Sequence, residues 1–168
     1  GTPLTADAMW KPRASYLLGE CYTVLKNHEK AEPAFLAALP GLEGPDKTEC
    51  HSRLGVTRFI LDQWAPAAEQ FEAFLKEEPK TRAKDQKKEN PHIREAQLYI
   101  GRCLLEQEDF KGAENRLRQL INLEGQLGAK ANLWFARVFS RPEKPNYDQA
   151  AASLEPAVKK YHNIAPVN

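Results

Sequence analysis

The residue types able to do covalent or metal chemistry are few in this chain and poorly spaced for it. His28, His51, His92 and His162 fall on stretches that read as turns and helix ends, with no metal-ligand spacing among them. Cys21, Cys50 and Cys103 are odd in number, and none belongs to a C-x-x-C pair. Cys50-His51 is the one Cys/His neighbour pair, and adjacent residues of a helix point in different directions. Carboxylate pairs such as Glu77-Glu78 lie in polar stretches, where solvated or ion-paired side chains are the default. No G-x-G-x-x-G, P-loop or G-x-S-x-G is present. The expectation is a non-enzyme with no catalytic residues, no cofactor and no metal.

Bulk composition narrows the classes further. Of 168 residues, 42% are apolar and 28% charged, as in an ordinary globular chain. The 24 basic side chains nearly balance the 23 acidic ones, which argues against a general nucleic-acid binder. Apolar runs stay far short of the roughly 20 residues that span a bilayer, so no transmembrane segment is expected. The sequence begins without Met and without a signal-like stretch. It reads as a fragment or processed form, leaving the compartment open between cytoplasm and, in a bacterium, periplasm.

What remains is positional repetition. Residues 16–38 carry Leu18-Gly19, Tyr22, Ala31, Phe35 and Ala38. Leu54-Gly55, Ala67, Phe71, Phe74 and Pro79 repeat the phrase, as do Ile100-Gly101, Leu104, Ala113, Leu117 and Leu120. A worn fourth copy has Phe135-Ala136, Phe139, Ala150, Leu154 and Ala157. Cys21 and Cys103 each follow a motif glycine by two residues, which predicts small core-filling side chains at equivalent places rather than a disulfide framework.

Apolar residues recur at spacings of three and four, so every element is predicted helical. Each copy divides into two helices: about 13–26 and 28–39, 47–61 and 64–77, 92–107 and 110–123, 128–140 and 147–161. Asp46 with Glu49, and Asn146 with Gln149, have capping-box spacing, and Asn90-Pro91 suits a helix start. Pro40-Gly41, Gly44-Pro45, Pro79 and Gly125 punctuate the connections between copies. Pro66 is near enough to its helix start to be tolerated, whereas Pro33 and Pro156 should kink their helices or shift the boundaries. The motif glycines at 55 and 101 lie further apart than those at 19 and 55, which places a polar insert at 82–93 containing Lys84, Lys87 and Lys88.

These letters resemble the tetratricopeptide repeat family, whose units run about 34 residues. The resemblance covers about 12–164, with Arg58 departing at the aromatic position and Ala136 replacing the glycine. It implies an all-α, right-handed solenoid of about four helix-turn-helix hairpins: 12–45, 46–81, the insert 82–93, 94–127 and a degenerate 128–164. It also implies a concave groove, lined by the first helices, that takes a peptide or helix of a partner protein. The corresponding positions are Tyr16, Glu20, Glu49, Ser52, Val56, Phe59, Glu95, Leu98, Arg102, Leu133, Arg137 and Arg141. Tyr16 and Glu20 stand where some members hold a Lys and Asn carboxylate clamp, so that clamp is not expected. Arg102, Arg137 and Arg141 offer an acidic segment another geometry.

The last helix keeps Leu154, Val158 and Tyr161 with only IAPVN beyond, so its outer face lacks a polar cap. Either a longer array continues or another chain covers that face. A structural segment of a longer array, or a self-associating homo-oligomer, is therefore the alternative to a peptide-binding adaptor. The FEAFLKEEP stretch is similar to repeats of bacterial envelope-assembly lipoproteins, which points that alternative toward the cell envelope.

Overall fold

The computed structural model describes residues 6–81 and 90–161. Among them the chain forms eight α-helices and no strand, as the three-and-four apolar spacing requires. The chain divides into two compact units, residues 1–89 and 90–168. In the first unit α1 (Ala6–Val24) pairs with α2 (His28–Ala38), and α3 (Gly44–Ile60) with α4 (Trp64–Thr81); a 3-10 turn, Leu39–Gly41, joins the hairpins. In the second, α5 (Pro91–Glu106) pairs with α6 (Phe110–Arg118), and α7 (Gly125–Ser140) with α8 (Tyr147–Tyr161). Residues 82–89, which include the three insert lysines, lie outside the described residues; 90–93 belong to the start of α5.

Three of the four hairpin turns are built alike. Lys26, Asp62 and Glu108 each take a left-handed conformation at the same place after the motif glycine. The next residue's amide then reaches back five residues: Asn27 to Tyr22, Gln63 to Arg58 and Asp109 to Leu104, at 2.9 Å each. This is the Schellman arrangement, which satisfies carbonyls that a helix end leaves over. Asn27 and Asp109 also accept an amide of the following helix through their side chains, so one residue closes one helix and caps the next. In the fourth turn a longer path ends with the Asn146 amide on the Phe139 carbonyl.

Asn90 and Asn146 cap α5 and α8 as their spacing predicts. Asp46 does not cap α3. That helix starts at Gly44, leaving Asp46 inside its first turn, where it pairs with Arg13 of α1 at 3.1 Å. Gly125 opens α7 with φ of 73° instead of closing the hairpin before it. α1 extends well upstream of residue 13 and carries Pro12 inside it, while α6 ends at Arg118, short of 123. Pro33 and Pro156 do not shift the starts of α2 or α8, which continue through them. Both prolines, and Glu29 and Ala152 four residues earlier, are exposed, so water can satisfy the freed carbonyls.

The cores form where repeated letters meet. In the first unit Ala31, Phe35, Ala38 and Leu42 of the α2 arm pack against Cys50 and Leu54 of α3. In the second, Leu117 and Leu120 meet Ala131, Phe135 and Val138, with Leu98 and Leu105 from α5. Each large side chain sealed this way contributes about 2–3 kcal/mol of hydrophobic stabilisation. Asn132 is buried among them, and its Nδ2 donates to the Ile121 and Gly128 carbonyls at 2.7 and 2.8 Å. Cys50 and Cys103 are small core residues, but Cys21 is exposed, contrary to the expectation from its repeat position. No described element covers that side of α1, whereas α2 covers the equivalent side of α3.

Candidate protein-binding surfaces

In the first unit the expected residues of α1 and α3 meet through one outside that set, Arg53. Its Nε lies 2.9 Å from Glu49 and 3.6 Å from Glu20, and the Tyr16 hydroxyl donates to Glu20 at 3.2 Å. Tyr16 stacks obliquely on Phe35, with centroids 5.8 Å apart. Burial, followed by the charges of Glu20 and Glu49, pushes its phenol up to about 12. One arginine is thus shared between two acids on this face, which leaves one negative charge uncompensated. Ser52, Val56 and Phe59 are half-buried along α3, and the Phe59 ring meets Trp64 edge-on at 5.1 Å.

The second unit differs in charge. Arg102 of α5 and Arg137 of α7 each lie 4.2 Å from the centroid of the same ring, Trp134. Arg102 also approaches Tyr99 at 5.8 Å. Burial, with a smaller contribution from Arg137, lowers the Arg102 pKa below its ordinary value. Two cations held on one indole are fixed in place at low conformational cost and favour a negative charge nearby. Arg141 is paired with Glu106 at 2.9 Å, and exposed Glu95 with His92 at 2.8 Å. Leu133 is half-exposed on α7. Leu98 is only 6% exposed and belongs to the core, so it offers no accessible binding side chain.

Reading letters alone misses Tyr99, Trp134 and Arg53. The Trp134/Arg137 spacing of three is a usable signal, because such helical neighbours share a face.

The Cys50-His51 pair shows no activation. The Cys50 thiol donates to the Phe35 carbonyl at 3.6 Å, and His51 pairs with Gln70 at 2.9 Å. Burial pushes the Cys50 thiol up to about 12, opposite to what a nucleophile needs. Among the described residues no group of His, Cys, Asp or Glu has metal-binding geometry, and no helix is long and apolar enough to cross a membrane.

Paired helices joined by repeated left-handed turns, with apolar clusters where successive hairpins meet, define an α-helical repeat protein. A family model described as tetratricopeptide repeat matches residues 5–45 and 61–122, more than half of the chain. The chain belongs to the tetratricopeptide repeat family, whose members generally mediate protein–protein interaction. Solved structures with this fold include two of a Podosopora anserina putative kinesin light chain, described as nearly identical TPR-like repeats. One, a point-substituted form, aligns with a TM-score of 0.71 at 14% identity, over 95% of this chain and 78% of that one. The other aligns at 0.63 and 14%, over 95% and 76%. No curated protein matches the sequence.

Proposed function

We propose that the chain is a non-catalytic binding module whose first-helix faces receive a segment of a partner protein, and that the face of α5 and α7 selects an acidic one. The observation that carries this reading is the sharing of Trp134 by Arg102 and Arg137. Arg141 already has its carboxylate in Glu106 and serves as a rim residue, while Leu133 supplies an apolar contact beside it. In the first unit Tyr16, Glu20, Glu49, Ser52, Val56 and Phe59 form a surface of the opposite sign, where Arg53 offsets only one of two carboxylates, and that surface does not favour an acidic segment.

A peptide array sorted by charge tests the reading. Binders are expected among acidic sequences and should weaken steeply as salt rises past physiological strength. Arg102→Ala with Arg137→Ala should remove binding while leaving the helical spectrum unchanged. Selection of basic peptides, or binding indifferent to both substitutions, rejects this surface as the site.

A further inference from the structure

α1 carries an apolar stripe that no described element covers. Trp10 is 65% exposed, Leu17 58%, Leu18 48%, Val24 81% and Leu25 72%, and Cys21 is exposed among them. These residues recur at three- and four-residue intervals and so share one side of the helix. Single exposed apolar residues are ordinary, but a continuous stripe marks an interaction surface.

The chain's own repeats show what kind of element covers such a side. Leu18 and Cys21 correspond to Leu54 and Thr57 in α3, which are 0% and 1% exposed, and to Phe135 and Val138 in α7, at 6% and 3%. In both cases the cover is the second helix of the preceding hairpin: α2 over α3 and α6 over α7. Phe35, Ala38 and Leu39 belong to the apolar cluster that α2 and the turn after it form with α3. α8 repeats that set in register as Leu154, Ala157 and Val158, with Val158 66% exposed.

The charges correspond as well. Glu32 of α2 and Arg58 of α3 form the ion pair across the internal interface. Their counterparts are Ala151 in α8 and Tyr22 in α1, so both charges are missing together. Docking α8 on α1 strands no member of that pair.

We propose that the chain self-associates head to tail, α8 of one copy covering the α1 stripe of the next as α2 covers α3. The contact joins two different surfaces, so it is open-ended and does not close at a dimer unless rotation forms a ring. It uses a side of α1 distinct from the one bearing Tyr16 and Glu20, and it is independent of acidic-segment binding.

Sedimentation of the full 168-residue chain from micromolar to millimolar concentration tests the proposal. The weight-average mass should climb steadily from the 19.0 kDa monomer, and thiol labelling at Cys21 should slow as it does. Leu18→Glu blocks the α1 end and Val158→Glu the α8 end, so each variant alone should stay monomeric. Their equimolar mixture should double in mass and stop there, because each supplies the surface the other lacks. Recovery on mixing also proves both variants folded. A monomeric wild type, a mixture that stays monomeric while both variants keep their helical spectra, or a Val158→Glu variant that associates like wild type overturns the proposal.

Discussion

The ring of Phe35 occupies the space a Cβ on Gly19 would need: that atom would lie 2.7 Å from the ring's Cδ1 and Cε1. Gly55 has the same relation to Phe71 at 2.9 Å, and Gly101 to Leu117 at 2.6 Å. In these three hairpins the glycine of the first helix and the bulky residue of the second are therefore two halves of one contact. The fourth repeat carries Ala136 and Leu154 at these places, a larger residue on one side and a smaller one on the other.

Gly19→Ala consequently has an unusual sign. Inside an exposed helix the change gains about 1 kcal/mol. Here Phe35 is wholly buried and cannot swing aside, and overpacking costs about 1–3 kcal/mol. A net loss of about 1 kcal/mol is expected in urea unfolding. Adding Phe35→Leu, which recreates the pairing of the fourth repeat, should cost less than the two single changes summed. A higher unfolding midpoint for Gly19→Ala rejects the contact as drawn.

Most of this architecture is legible in the letters because it is local. The starts at His28, Trp64, Phe110 and Tyr147 stand where the apolar spacing places them, and Asn146 signals the cap of the last; the caps at Asn27 and Asp109 emerge only from the folded turns. The letters overextend α6 because Leu120 and Ile121 keep the apolar rhythm beyond the helix; they pack on the core from the connection. The surfaces are less legible. Tyr16, Ser52, Leu98 and Leu133 share one register, yet Leu98 is buried, Tyr16 and Ser52 are half-buried and Leu133 is exposed. Side-chain size and the neighbouring helix decide this, not position in the repeat. Cys21 makes the same point: Thr57 takes its register in α3, where α2 packs, whereas no described element covers that side of α1. Arg102 on Trp134 is a tertiary contact between α5 and α7, and spacing along the chain does not encode it.

The cysteines should separate sharply in reactivity. Cys21 is exposed, while Cys50 and Cys103 are fully buried, with burial pushing each thiol up to about 12. Ellman's reagent on dilute folded protein should titrate one thiol at once and the other two only on unfolding. Three fast thiols, or none, contradict the packing.

The same groups predict a loss of stability in alkali. In the unfolded chain the two thiols ionise near 9, whereas in the folded chain they hold their protons to about 12. Their contribution is complete below pH 9 and is lost as pH rises from 9 through 12, because the folded state then binds more protons than the unfolded one. Tyr16 adds to the decline between 10 and about 12. The urea midpoint should fall across this range, and Cys50→Ala with Cys103→Ala should flatten the slope below about pH 10, where the thiols dominate. An unchanged slope in that double variant assigns the decline elsewhere.

Glu32 ties α2 to α3 with both carboxylate oxygens in use: Oε1 accepts from Arg58 Nε at 2.9 Å and Oε2 from Gln63 Nε2 at 3.0 Å. Arg58 stands where the repeat pattern has an aromatic, so an ion pair replaces a packed ring at this junction. The paired side chains are only 14% and 18% exposed, which places the pair between surface and interior. Removing one partner leaves the other charge poorly solvated, and Glu32→Ala should cost about 1–3 kcal/mol. Asp46→Ala breaks the Arg13 pair, whose side chains are 64% and 50% exposed, and should cost under about 1 kcal/mol. Urea unfolding of the two variants side by side decides whether depth, and not the presence of a pair, sets the value. Equal losses reject that account; a larger loss for Glu32→Ala that persists in high salt, where the exposed pair is screened, supports it.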